Sequence, residues 1–138
     1  MSNNDYDQQV EEIQAYNKPI LEAFEAWLAE SWTKKTVKKH VDNIYFFTDY
    51  LVYYEPLRRL DEATESDVFT FLSSWFPRKA LWASTSNMKA YISSFKKLFK
   101  WMGETKRMDA EEVEAIFYTL KEERDVFLEA VEDDVSFW

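Results

Sequence analysis

The sequence predicts an all-α fold, and three observations support that prediction. Its 138 residues include one glycine and three prolines, so long stretches contain no residue that breaks a helix. Apolar residues recur in these stretches at the three- and four-residue spacing of amphipathic helices. Aromatic residues make up 18% of the chain, and we interpret them as core side chains between helices rather than as stacking partners for bases. We therefore expect a compact bundle of four core helices followed by an acidic fifth helix.

The first two helices are predicted on either side of Thr33. Helix 1 is expected to run from Pro19, a residue suited to a first turn, to Glu30. Residues 5–18 either extend this helix or form a loose acidic lead-in. Helix 2 is expected over residues 34–54, with the hydroxyl of Thr33 as its N-cap.

The next two helices carry recognisable start and stop residues. Helix 3 is expected to begin at Thr64, which forms a capping-box pattern with Asp67, and to end at Pro77. Helix 4 is expected to begin after the N-cap Ser84 and to stop at Gly103, because glycine commonly follows the last helical turn.

The net charge of −9 is unevenly distributed along the chain. Residues 1–30 carry one Lys against seven acids, residues 31–108 carry fourteen Lys and Arg against eight acids, and residues 109–138 carry two basic residues against eleven acids. Within the basic central segment, residues 73–103 contain no Asp or Glu. Such a segment is either a surface that faces phosphates or a solvated face balanced by the acidic C-terminus, and charge alone leaves both readings open. Its six basic residues are Arg78, Lys79, Lys89, Lys96, Lys97 and Lys100.

The lysines concentrate on two predicted helices. On helix 4 the lysines and small hydroxyl side chains share one flank beside the apolar face, and such groups position proteins on phosphate backbones. At the start of helix 2 the positive charges oppose the helix dipole, so either a bound anion such as phosphate offsets this cost or the cluster is merely solvated. This second cluster consists of Lys34, Lys35, Lys38 and Lys39.

Several classes of site are excluded by residue type. The chain has no cysteine, which excludes disulfides, thiolate metal sites and cysteine nucleophiles. With one histidine, His40, in the predicted helix 2, we expect no metal site and no cofactor. The start of the chain is polar and no apolar run is long enough to span a bilayer, so we expect a cytoplasmic protein with no membrane partner.

Three sequence blocks, taken in order, resemble the SAM-like core-binding domain at the N-terminus of tyrosine recombinases and phage integrases. The first is FEAWL (24–28) with TKKTVKKH (33–40), the second is TESDVFTFL (64–72), and the third is STSNM (84–88) with FKKLFKWM (95–102). No block is diagnostic alone; their order and spacing carry the likeness. The resemblance divides the chain into an acidic lead-in (1–17), a core-binding domain (18–103) and an acidic helix with its tail (104–138).

In that family the domain forms one jaw of a clamp on duplex DNA, with its second and fourth helices facing the grooves. The resemblance therefore implies a DNA-binding module of recombination or DNA integration, and it implies no enzyme activity. The family's catalytic domain should follow helix 4, whereas only thirty-five residues follow Gly103 here. The implied DNA contacts are Lys34, Lys35, Lys38, Lys39, Lys89, Lys96, Lys97 and Lys100, with Arg78 and Lys79 added from the connecting loop.

The acidic C-terminal segment supports an alternative function. Helix 5, expected over residues 109–131, presents one strongly acidic face. The chain is then a protein-interaction or regulatory module whose acidic helix screens the basic face or mimics DNA towards a partner. Phe137 and Trp138 at the end of the chain either anchor in the core or contact a partner or a second copy.

Overall fold

The structure is a computed structural model that describes residues 3–132, and the chain divides into two units at residue 63. The elements in residues 3–132 are all helical, which confirms the predicted all-α class. None of the helices in that range is long and apolar enough to cross a bilayer. The predicted domain boundaries at residues 17 and 103 both fall inside helices, so the three-part division stays a prediction.

The first unit contains two α-helices and a short 3-10 turn. Helix α1 spans Asn3–Ala29, α2 spans Lys34–Leu51, and the turn spans Leu60–Glu62. Thr33 caps α2 as predicted, since its hydroxyl accepts a hydrogen bond from the backbone N–H of Thr36 at 3.3 Å. The helix ends three residues before the predicted residue 54. The buried apolar residues of the two helices are Ile20, Leu21, Phe24, Leu28, Val37, Val41, Ile44, Phe47, Tyr50 and Leu51.

Helix α1 begins much earlier than the sequence predicted. The expectation that Pro19 opens the helix is wrong, because Pro19 lies inside α1. Proline has no N–H to donate to the carbonyl of Ala15, but both residues are exposed, so water can satisfy that carbonyl. Residues 5–18 therefore extend the helix. Near its start the Tyr6 hydroxyl donates a hydrogen bond of 2.6 Å to the backbone carbonyl of Val52.

The second unit contains the remaining helices. They are α3 (Glu65–Thr70), a π-helical turn (Phe71–Trp75), α4 (Phe76–Lys79), α5 (Thr85–Glu104), α6 (Ala110–Glu122) and α7 (Arg124–Ala130). The predicted caps of α3 and α5 are confirmed. The Thr64 hydroxyl accepts from the N–H of Asp67 while the Asp67 carboxylate accepts from the N–H of Thr64. The Ser84 hydroxyl accepts from the N–H of Asn87 at 3.1 Å.

Pro77 does not end the third predicted helix. The chain stays helical from Glu65 to Lys79, because the π turn lengthens the hydrogen-bond step and Phe76 donates its N–H to the carbonyl of Phe71. Pro77 is the second residue of α4, and because it has no N–H it cannot donate to a carbonyl of the preceding turn.

Gly103 does not end the fourth predicted helix either, because α5 continues to Glu104. Lys106 takes the left-handed conformation, with φ of 60°, and Arg107 donates its N–H to the carbonyl of Met102. Gly103 instead sits where α6 comes close. A Cβ atom added there would lie 3.3 Å from Cγ2 of Val113.

The predicted fifth helix is two helices, since Glu123 separates α6 from α7. Asp109 lies at the N-cap position of α6 and forms no side-chain capping bond. The break turns Phe127 into the core, where its ring lies 5.8 Å from that of Phe69. The acidic tail from residue 133, with Phe137 and Trp138, lies outside the described residues.

Candidate nucleic-acid interface

The exposed face of α5 is a row of lysines with small hydroxyl side chains. The exposed residues of this helix are Ser86, Lys89, Lys96, Lys100 and Glu104. Ser93 and Lys97 lie half-buried on the same side, and the Lys97 ammonium donates a hydrogen bond of 3.0 Å to the Ser93 hydroxyl. At 1.5 Å per residue, the row from Lys89 to Lys100 is about 16 Å long.

The apolar face of α5 holds this row outward. As predicted, one side of the helix faces the core, and its large side chains are almost completely buried. The ring of Phe95 lies 5.7 Å from that of Phe71 in an edge-to-face arrangement, and the Tyr91 ring lies 4.4 Å from that of Phe76. These aromatic residues fill the core of the unit, so rotating α5 to turn its lysines inward would expose them. The buried residues of this face include Met88, Ile92, Phe95, Phe99 and Met102.

Three lysines of the row are not paired with a carboxylate within residues 3–132. No Asp or Glu occurs between Asp67 and Glu104. In that described range, the ammonium groups of Lys89, Lys96 and Lys100 form no ion pair with a carboxylate. Uncompensated cations on one rigid helix face create a local positive potential, even in a chain whose total charge is negative.

Arg78 and Lys79 lie on a helix and not in the loop where they were predicted. They form the last turn of α4 rather than part of the connecting loop, and both are exposed. The Arg78 Nε–H donates a hydrogen bond of 3.1 Å to the carbonyl of Ser74 one turn earlier. Basic residues suit the last turn of a helix, because they interact favourably with its carbonyl end.

The four lysines of α2 are also exposed, but a carboxylate lies among them. The Lys38 ammonium is 2.8 Å from the Asp42 carboxylate, and this hydrogen bond, together with the attraction of the opposite charge, raises the pKa of Lys38. A surface depression of about 370 Å³ is lined by Lys35, Lys38 and Lys39 together with Thr36 and Asp42. An anion approaching this cluster meets Asp42 as well, and that carboxylate lowers the positive potential around Lys38.

The predicted contact residues therefore fall into two groups. Lys34, Lys35, Lys38 and Lys39 lie together on α2 in the first unit. Arg78, Lys79, Lys89, Lys96, Lys97 and Lys100 belong to the second unit, on α4 and α5.

The single histidine, His40, is a buried residue of α2. It is 8% exposed, on the buried side of α2. Within residues 3–132, no group of three or more His, Asp and Glu side chains is arranged to hold a metal ion.

Sequence reasoning missed one surface feature, the tip between α4 and α5. Leu81 is fully exposed there and Trp82 is about half exposed. The signal was present in the sequence, because two large apolar residues stand between a basic pair and the N-cap Ser84, where no helix face can bury them.

Comparison with known proteins assigns no family to this chain. The chain matches no protein-family model, no curated protein and no solved structure.

Proposed function

We propose that this chain is a non-catalytic DNA-binding module, similar to the core-binding domain of a tyrosine recombinase, and that it contacts duplex DNA through the lysine row of α5. The observation that carries the proposal is the exposure of Lys89, Lys96 and Lys100 in a segment without acids. A helix face that presents lysines and hydroxyls, with its one exposed carboxylate, Glu104, at the end of the helix, fits a surface of regularly spaced phosphates.

The expected mode of binding is electrostatic and independent of base sequence. Each lysine that neutralises a phosphate releases condensed counterions, so the affinity falls with salt by a slope of about −0.9 per contact. Four lysines on α5 predict a slope of about −3 to −4 in a plot of log K against log salt. In this proposal the hydroxyls of Ser86, before the row, and Ser93, within it, donate hydrogen bonds to phosphate oxygens.

The acidic remainder of the chain limits the affinity. A net charge of −9 repels a polyanion at long range, so binding is expected to be weak and to need low salt. The cluster on α2 and the pair Arg78 and Lys79 are secondary contacts in this proposal. Lys38 contributes least among them, because Asp42 already neutralises it.

Fluorescence anisotropy with a labelled duplex at low salt tests the proposal. Lys96→Glu is expected to lower the affinity by about tenfold or more and to reduce the salt slope by about 1 or more. Lys121→Glu is the matched control, since Lys121 is an exposed lysine in the last turn of the acidic helix α6. Absence of binding by the wild type, binding that is indifferent to salt, or equal effects of the two variants would each contradict the proposal.

A second candidate function is recognition of a basic partner protein by the acidic helices. The observation that favours it is a set of exposed carboxylates on α6 and α7, which no core contact requires. Within residues 3–132 these carboxylates form no ion pair with Lys89, Lys96 or Lys100, so a partner can reach them. The exposed set comprises Glu111, Glu114, Glu122, Asp125 and Glu129.

Neutralising this acidic set in the full-length chain separates the two candidates. Truncation after Met108 is unsuitable, because α6 and α7 contribute the fully buried residues Ile116, Leu120 and Phe127. Replacing the five acids by Gln or Asn preserves the core. Increased DNA affinity would show that the acids oppose DNA binding, whereas absence of DNA binding by both forms would favour the protein-interaction function.

A further inference from the structure

The tip between α4 and α5 exposes two adjacent apolar side chains. Leu81 has a relative exposure of 101% and Trp82 one of 51%, and Leu81 is the most exposed large hydrophobic residue in the described part of the chain. A leucine packed against its own protein loses most of its exposure, so Leu81 receives almost no cover from its surroundings. An apolar pair projecting in this way is available to insert into a partner.

The tip is held in place by hydrogen bonds rather than left free. The Asn87 side-chain amide donates to the carbonyl of Trp82 at 2.7 Å and to the hydroxyl of Ser84 at 3.0 Å. Ala83 donates its backbone N–H to the carbonyl of Ala80, which is buried. Since these bonds hold the backbone on both sides of Leu81, little backbone entropy is lost when its side chain is buried in a partner.

The charge around the tip specifies the chemistry of that partner. Arg78 and Lys79 precede it directly, Lys89 follows in the first turns of α5, and residues 68–103 contain no acid. A partner that suits this surface has an anionic exterior and an apolar interior reachable by one side chain. Duplex DNA has this construction, since its phosphates lie outside and its stacked bases lie inside.

We propose that Leu81 acts as a wedge that inserts between adjacent base pairs of bound duplex DNA and kinks it, while the lysines of α5 hold the neighbouring phosphates. This inference rests on the proposed DNA-binding function and adds a deformation to it. Apolar wedges of this kind partly unstack one base step and bend the duplex. Trp82, beside the wedge, has a half-exposed ring that can cover the edge of the opened step.

The proposal predicts that removing the Leu81 side chain affects the bending of the DNA much more than the affinity for it. Unstacking a base step costs free energy that burial of the leucine largely offsets, so removing the wedge is expected to change the affinity by no more than about fivefold. The same removal should abolish the bend. Because Leu81 is fully exposed, Leu81→Ala should also leave the thermal unfolding of the protein unchanged.

The test is energy transfer between dyes at the two ends of a duplex of about 30 base pairs with a central TpA step, since pyrimidine–purine steps kink most readily. The full-length wild type at saturation is expected to increase the transfer efficiency. Leu81→Ala should remove most of that increase and remain bound, as anisotropy on the same duplex would show. Leu81→Met should retain it, because methionine is also a suitable wedge. Val126→Ala is the matched control, since Val126 is a partly exposed aliphatic residue on the acidic helix α7.

Each contrary outcome points to a different failure. Wild-type binding without increased transfer, or an unchanged increase with Leu81→Ala, overturns the wedge and leaves the DNA-binding proposal standing. No binding of the duplex at low salt overturns both proposals. Sedimentation with vesicles containing anionic lipids examines the remaining alternative. Three results together would overturn the wedge: the wild type binds these vesicles, Leu81→Ala does not bind them, and the duplex stays straight. The tip would then bind a membrane surface.

Discussion

The side-chain oxygen of Asn17 accepts a hydrogen bond from the backbone N–H of Leu60 at 2.9 Å, and both residues are buried. This bond ties the middle of α1 to the 3-10 turn, forty-three residues further along the chain. It is reinforced at the surface, where the Tyr16 hydroxyl donates to the carboxylate of Asp61 and the guanidinium of Arg59 lies 4.2 Å from the centre of the Tyr16 ring. The segment after α2 is therefore fixed to α1 by polar contacts as well as by packing.

Asn17→Ala should destabilise the protein by about 1–3 kcal/mol, because it leaves the buried N–H of Leu60 without an acceptor. The measurement is urea unfolding followed by circular dichroism. Gln14→Ala is the control, since Gln14 lies one turn earlier on α1 and is exposed. Equal midpoints for the wild type and Asn17→Ala would show that another group satisfies the N–H.

Lys106→Gly should stabilise the protein by about 1 kcal/mol. Lys106 has a φ of 60°, a left-handed conformation that costs residues with a Cβ atom free energy but costs glycine very little. Lys106→Ala, which keeps the Cβ atom, should give no comparable gain. Thermal unfolding of the three proteins decides the matter, and a similar rise for alanine and glycine would mean that the lysine charge, not its backbone conformation, is the unfavourable feature.

The contact between Gly103 and Val113 should appear as an energetic coupling. Alanine at position 103 gains about 1 kcal/mol in helix propensity, but its Cβ atom would lie 3.3 and 3.4 Å from the two γ carbons of Val113. Gly103→Ala should therefore stabilise the protein more in a Val113→Ala background than in the wild type.

A double-mutant cycle measured by urea unfolding quantifies this coupling. An interaction energy of about 0.5 kcal/mol or more is expected for two residues in direct contact. Additive effects would show that α6 moves away from the new methyl group at no cost.

Asp49 should make stability depend on pH. Asp49 is an exposed residue, but neighbouring groups partly desolvate its carboxyl and raise its pKa in the folded state. The residue lines a cavity of about 280 Å³ with neighbours that include Lys18 and Tyr45. Because the pKa of Asp49 is higher in the folded state than in the unfolded state, ionisation of this carboxyl destabilises the fold. The free energy of unfolding is unaffected while the carboxyl is protonated in both states, and it falls as pH rises through the two pKa values.

Asp49→Asn should thus unfold at a higher temperature than the wild type at neutral pH. The difference should disappear below about pH 3, where the aspartate is neutral in both states. Melting curves across this range provide the measurement. A constant difference at every pH would attribute the effect to hydrogen bonding or packing of the amide instead of ionisation.

Features determined within a few residues could be predicted from the sequence. The caps at Thr33, Thr64 and Ser84 depend on one side-chain oxygen and a backbone N–H three residues later, so local spacing was sufficient to find them. The outward lysine row of α5 was predictable for the same reason, because a helical period places apolar and basic residues on separate arcs. The apolar face identified one side of the helix as core and left the lysines to solvent.

Features that depend on distant contacts could not be predicted in this way. Pro19 is tolerated inside α1, and Gly103 continues α5 beside Val113 of α6. Glu123 interrupts the fifth predicted helix so that Phe127 reaches the ring of Phe69. At each of these positions the local preference is worth about 1–3 kcal/mol, and packing between elements can exceed that amount.

The sequence by itself determined the all-α class, the helix starts and the separation of basic from acidic segments, since composition and periodicity act through neighbours along one helix. The pairing of Lys38 with Asp42 belongs with these local features, since the two residues are four apart on α2. Only the tertiary structure decided where the helices end and which apolar residues find no cover. It continues α5 past Gly103 beside Val113 and leaves Leu81 fully exposed. Burial depends on which groups meet in space, and the order of residues along the chain does not specify those meetings.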